Sequence, residues 1–135
     1  MPAAPALDSF ALLAFLRGEP GEAKVAMTLE KAGVRDSPLP MTEVNYAEVK
    51  YTVLRKDGPA RWDEVARDLP TLPIEFHPVD RELADLAAGL KARFSLSLAA
   101  AFAAALAKKL KAELVTGDAE FKALEKEIRI LWLSP

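Results

Sequence analysis

The chain has 135 residues and a formal net charge of −2, a length that fits one ordinary domain. With no cysteine and a single histidine, it cannot build a thiolate zinc centre, a multi-histidine metal site or a cysteine nucleophile. Any metal it holds must be bound through oxygen, which favours magnesium or manganese, and its charge is wrong for gripping nucleic acid by bulk electrostatics alone.

No apolar run of about 18 residues or more is present, so no membrane span is expected. The N-terminus lacks a basic stretch ahead of an apolar core, so no signal peptide is expected either. The absence of cysteine suits a reducing cytoplasm.

In chain order, Pro5 to Leu7 reads as a short strand, weakened by Pro2 and Pro5. Phe10, Leu12, Leu13 and Leu16 then give a helical stripe, stopped by Gly18-Glu19-Pro20-Gly21. A second helix from about Glu22 ends at Gly33. Leu39 to Thr42 reads as a strand. A helix over about Val44 to Arg55 is broken by Lys56-Asp57-Gly58-Pro59, and another covers about Arg61 to Asp68. Leu72 to Val79 reads as a strand. Asp80 is the expected N-cap of a helix with Leu83, Leu86, Ala87 and Leu90 on one face. A sixth helix starts near Ser97 and carries Leu98, Ala101, Phe102, Ala105, Leu106 and Leu110 inward. Glu113 to Thr116 is a strand, then a short helix with Phe121 and Leu124, and Ile128 to Leu133 is a last strand. Short apolar strands separated by amphipathic helices imply an α/β fold, a three-layer α/β/α sandwich around a central parallel sheet, as a single domain over 1–135. A barrel would need about 250 residues.

Three acids stand out. Asp8 and Asp118 each end a short strand and precede a helix, and ligand crevices lie at the carboxyl ends of parallel strands. The simplest reading of either alone is an N-cap; two at matching strand ends favour a site. Glu48 lies within or beside the expected apolar stripe Val44, Ala47, Tyr51 and Leu54, and an inward carboxylate is costly without compensation. A capping box with Asn45 as N-cap is the competing account of Glu48. With Ser97 as N-cap, the third position of the sixth helix favours an acid; here it is Ala100.

These segments resemble an ordered set of family motifs. Asp8-Ser9, the run Met41-Thr42-Glu43-Val44-Asn45-Tyr46-Ala47-Glu48, Leu96 to Phe102, and Thr116-Gly117-Asp118-Ala119-Glu120-Phe121 are similar to those of PIN-domain ribonucleases, most of all the VapC toxin branch. The resemblance covers nearly the whole chain. It implies a parallel sheet with its first strand central, an endoribonuclease dependent on Mg2+ or Mn2+, an RNA substrate, a cognate antitoxin and a homodimer. Asp8, Glu48 and Asp118 match three family acids and would be the metal ligands; Ser9 and Thr116 match supporting hydroxyls. The family's remaining acid falls on Ala100, which predicts weakened or absent cleavage.

The residues outside these motifs read more plainly. His77 before Pro78 is a packing or edge residue, and Trp62 and Trp132 are core anchors. Lys108, Lys109 and Lys111 form a solvated face, and Arg55, Lys56, Lys91 and Arg93 could line a groove. Two other readings remain. One is a PIN-like module that binds RNA or protein without cutting. The other is a phospho-acceptor receiver domain, for which Asp80 is available but Asp8-Ser9 lacks the paired acids.

Overall fold

Six helices and five short strands alternate along residues 3–133, the part of the chain that the computed structural model describes; Pro2 lies outside it. Strand β1 (Ala6–Leu7) leads into α1 (Ser9–Arg17) and α2 (Glu22–Val34), then β2 (Leu39–Thr42) into α3 (Glu43–Asp57) and α4 (Pro59–Asp68). A 3-10 turn at Leu69–Thr71 precedes β3 (Ile74–His77), followed by α5 (Arg81–Arg93) and α6 (Leu98–Leu110). The chain closes with β4 (Leu114–Thr116), a 3-10 turn at Ala119–Leu124 and β5 (Ile130–Trp132).

All strand pairs are parallel. Leu7 lies opposite Val115 in the β1–β4 ladder, Thr116 opposite Trp132 in β4–β5, and Thr42 opposite His77 in β2–β3. Strand β1 also lies beside β2, so the first strand sits between the two ladders. Each pair of helices bridges successive strands, which is the long crossover that a parallel sheet requires.

Side chains on β1 and β4 alternate between two cores. Ala6 and Leu114 face a core built with α5 and α6, including Leu83, Leu90 and Leu106. Leu7 and Val115 face a second core with Leu12, Val25, Met41, Val49 and Val65 from the early helices and β2. Period-two alternation in the central strands therefore makes the three layers.

Local chemistry sets the helix starts. The side chains of Asp8, Thr42, Asp80 and Ser97 each accept a backbone N–H from the third residue on, closing the N-termini of α1, α3, α5 and α6. Gly58, at φ 90°, ends α3 in a conformation that costs a side chain most.

Expectations for α3 and for Trp132 need correction. Thr42, not Asn45, caps α3, so Glu48 is not the partner of a capping box. The inward face of α3 is Asn45, Val49 and Val53, whereas Ala47, Tyr51 and Leu54 are exposed. Trp132 is only half-buried at the sheet edge and donates Nε1–H to Glu125, while Trp62 is buried edge-on to Tyr46 as expected of an anchor. No single described helix is long and apolar enough to cross a membrane.

Candidate active site at the strand ends

Asp8 is the centre of the arrangement. It follows β1, caps α1 and is 3 % exposed. Its Oδ1 accepts the Ala11 N–H at 2.8 Å, and its Oδ2 accepts the Thr116 hydroxyl from the end of β4. Thr116 Oγ1 in turn accepts the Asp118 N–H at 3.0 Å, and Asp118 Oδ1 accepts the Glu120 N–H at 3.0 Å. The register that puts Leu7 beside Val115 thus brings the two strand-end aspartates together through one threonine.

Burial pushes the Asp8 carboxyl up to about 7; the Thr116 and Ala11 hydrogen bonds oppose that rise, and the charges of Asp118 and Glu48 add to it. Glu48 is half-buried on α3 and near enough for its charge to act on Asp8. Position 100 is the third residue of α6 and buried; the Ala100 N–H goes to Ser97 Oγ at 3.2 Å.

Asn45, read from sequence only as a cap, ties the surrounding helices together. Its Nδ2 donates to Ser9 Oγ at 3.0 Å and to the Ala99 carbonyl at 3.1 Å. Its Oδ1 accepts the Thr42 hydroxyl, and its N–H reaches Thr42 Oγ1 at 3.0 Å. Ser9 also donates to the Asn45 carbonyl at 3.3 Å. One buried amide therefore fixes α1, α3 and α6 around the acids. The spacing of Thr42 and Asn45, three residues apart straight after a strand, is the signal that could have found it. Glu120, quoted only as part of a motif, also enters the site: its Oε1 accepts the Ser97 N–H at 2.9 Å.

The other polar candidates lie elsewhere. Arg93 and Lys108 both pair with Glu127, Lys91 donates to the Leu96 carbonyl, and Arg55 lies over Tyr51. Lys109 faces Asp80 and Glu82. Asp80 is exposed at the start of α5. His77 Nε2 sits 2.8 Å from Glu75 Oε1 without making a well-aligned hydrogen bond.

The donors suit a hard divalent cation. All are oxygens, and a desolvated carboxylate with two like charges beside it is the group that a cation compensates. Among the described residues no three acids stand close enough to enclose an ion on their own. Magnesium does not require that: it keeps several waters and is commonly held by one or two carboxylates with the phosphates of its substrate.

Comparison with known proteins agrees with this architecture. A search of curated protein sequences finds no match. Among solved structures, DNA-bound VapBC from Salmonella typhimurium is similar over 98 % of this chain and 99 % of that one, at TM-score 0.76 and 17 % identity. VapBC2 from Rickettsia felis, bound to a promoter DNA fragment, is similar over 93 % and 96 %, at TM-score 0.73 and 14 % identity. VapBC-5 from Mycobacterium tuberculosis is similar over 96 % and 97 %, at TM-score 0.63 and 23 % identity. At these identities the likeness is one of fold. The sequence itself matches the profile of the PIN domain over residues 6–127: the chain belongs to the PIN domain family.

Proposed function

We propose that this PIN-domain chain is a magnesium- or manganese-dependent endoribonuclease, the toxin of a toxin–antitoxin pair, with cleavage held down by alanine at position 100. Asp8 carries the reading: a buried aspartate at the carboxyl end of the central strand, bonded to Thr116 and faced by Asp118 and Glu48. Members of the PIN domain family are nucleases, and the similar solved structures are VapBC assemblies. The same likeness supports a cognate antitoxin partner; a homodimer, a single domain over 1–135 and a cytoplasmic setting complete the proposal.

In this reading Asp8 and Asp118 are the main metal donors, and Glu48 either binds the ion or positions water. A bound divalent cation would lower the pKa of water and stabilise charge on the phosphate oxygens. Thr116 holds the Asp8 carboxylate in orientation. Ser9, through Asn45, holds α1 against α3 and α6. Ala100 offers neither charge nor hydrogen bond at its side chain, and loss of one ligand or supporting anchor typically costs about 10–100-fold in affinity or activity.

Cleavage of RNA in manganese by this chain and by Ala100→Asp tests the proposal. Little or no cleavage by the parent and recovery in Ala100→Asp is expected, with Asp8→Asn abolishing both cleavage and metal binding. Equal activity in parent and Ala100→Asp would refute the role given to position 100. Absence of cleavage in every form, with RNA or protein binding retained, would favour the second reading, a silent binding module, for which Ala100 is the specific observation.

A further inference from the structure

The carboxyl ends of the strands carry the acids; their amino ends border a cavity. It measures about 530 Å3, within the range that small-molecule sites occupy. Ala4 and Pro5 ahead of β1, Leu39 at the start of β2, Glu113 just before β4 and Leu131 of β5 line it, closed over by the last turn of α2. All strand pairs are parallel, so this cavity and the acid cluster lie at opposite ends of the sheet.

Two prolines account for its place. The Ala6 N–H goes to the Glu113 carbonyl, on the β4 side, and the Leu39 N–H goes to the Pro73 carbonyl, on the β3 side. Alternate residues of a strand turn their N–H groups to opposite neighbours, so Pro5 and Pro40 hold the positions that face the seam between β1 and β2. Neither has an N–H to donate. No ladder joins β1 to β2, and Pro5 and Leu39, on either side of that seam, both line the cavity.

The walls narrow the ligand. Lys31 and Arg35, four residues apart at the end of α2, line the cavity from one side, and Glu113 lines it from the sheet. None of these three groups forms an ion pair with another or with any described residue. Opposite charges around one cavity, too far apart to pair, suit a molecule that carries both signs. The rest of the wall is aliphatic and holds no aromatic ring. A nucleobase finds nothing there to stack on, whereas an apolar stem buries area against Ala4, Pro5, Leu39 and Leu131.

We propose that this cavity binds a small zwitterion with an aliphatic middle, its anionic head at Lys31 and Arg35 and its amino group at Glu113. Short apolar peptides belong to this class. The site shares no residue with the acid cluster, so it stands apart from the metal-dependent reading.

Three probes with one stem separate the charges: 8-aminooctanoate carries both, octanoate only the negative one and octylamine only the positive one. Each is titrated into the full chain while the backbone N–H resonances are followed by NMR. Lys31, Arg35 and Glu113 should shift with 8-aminooctanoate, and each single-charge probe should bind about 3–10-fold more weakly. Glu113→Gln should erase the advantage over octanoate, and the double variant Lys31→Gln/Arg35→Gln the advantage over octylamine. Lys31 and Arg35 are exposed and Glu113 is half-buried, so these variants should fold like the parent. Asp8→Asn should bind 8-aminooctanoate unchanged. Equal affinity for all three probes, affinities that neither variant alters, or no shift at millimolar 8-aminooctanoate overturns the proposal. Octanoate binding as tightly as 8-aminooctanoate overturns it too, by reducing the site to one for simple anions. Shifts confined to Asp8, Thr116 and Asp118, or binding lost in Asp8→Asn, would place the ligand at the other end of the sheet and overturn it as well.

Discussion

Asp8 holds two roles that pull against each other. As the cap of α1 it accepts the Ala11 N–H, which favours its charged form, while burial drives its carboxyl up to about 7 from 3.8. An acid whose folded pKa lies above its unfolded value stabilises the fold fully below the unfolded value and loses that contribution as pH rises through the folded one. The metal-free protein should therefore lose up to about 4 kcal/mol from this group between pH 4 and pH 8. Asp8→Asn keeps a good cap and removes the charge. In urea melts without metal it should be more stable than the parent at pH 8, with the difference shrinking at pH 5. A difference that is flat, or larger at pH 5, would show that burial does not govern this proton. Asn45 is the second residue whose chemistry can be isolated. Asn45→Ala takes away the side-chain partner of the half-buried Ala99 carbonyl and of the buried Thr42 hydroxyl, at about 1–3 kcal/mol for each group left unpaired. Denaturant titration should register that loss, and manganese affinity should fall with it; a variant as stable as the parent would remove Asn45 as the clamp.

Helix α6 shows how closely the elements are fitted. Eight consecutive residues, Ala100 to Ala107, are buried, so the helix is enclosed nearly all round, against α5, α3, β2 and the sheet. Alanine is what permits that approach. Ala104→Leu forces three extra carbons and a branched side chain into a site with no exposure; overpacking of this kind typically costs about 1–3 kcal/mol, to be read as a lower denaturation midpoint. No change in midpoint would mean that the packing around α6 yields. The same helix marks where sequence pattern stops being informative. The Asp80 and Ser97 caps and the stops at Gly18 and Gly58 were legible because each is a local device, and so were the strand-end aspartates; the stop expected at Gly33 is not made, since α2 runs through it to Val34. The inward face of α6 was only half legible: Leu98 was expected inside but is 56 % exposed, and in an alanine run periodicity carries no signal. On α3 the pattern misled, since a polar Asn45 points inward and an aromatic Tyr51 outward. Glu48 was placed near the site through a stripe that does not exist, although its charge does reach Asp8. The bond from Glu120 to Ser97 depends on how β4 docks beside α6, which no local spacing encodes.

At the scale of the molecule, the acid cluster lies where the two cores meet. Strands β1 and β4 belong to both cores, and their ends supply Asp8 and Thr116. Glu48 comes from α3, which packs into one core, and Ser97 starts α6, which fills the other. A cation bound among these acids would therefore be sensed by both layers at once, and its binding energy should appear in the unfolding of the whole domain. Ligand binding to the native state alone adds about 2.7 kcal/mol when free ligand is 100 times its dissociation constant, enough to move the melting temperature by several degrees in a domain of this size. Calorimetric melts at pH 8 should show one transition that rises with manganese and falls back when EDTA removes it. The rise should be smaller at pH 5.5, because a proton then competes with the ion for Asp8. It should vanish in Asp8→Asn. A shift of equal size in Asp8→Asn would place the ion elsewhere. Separate transitions, only one of them responding to metal, would show that the two layers unfold independently and that the site does not join them.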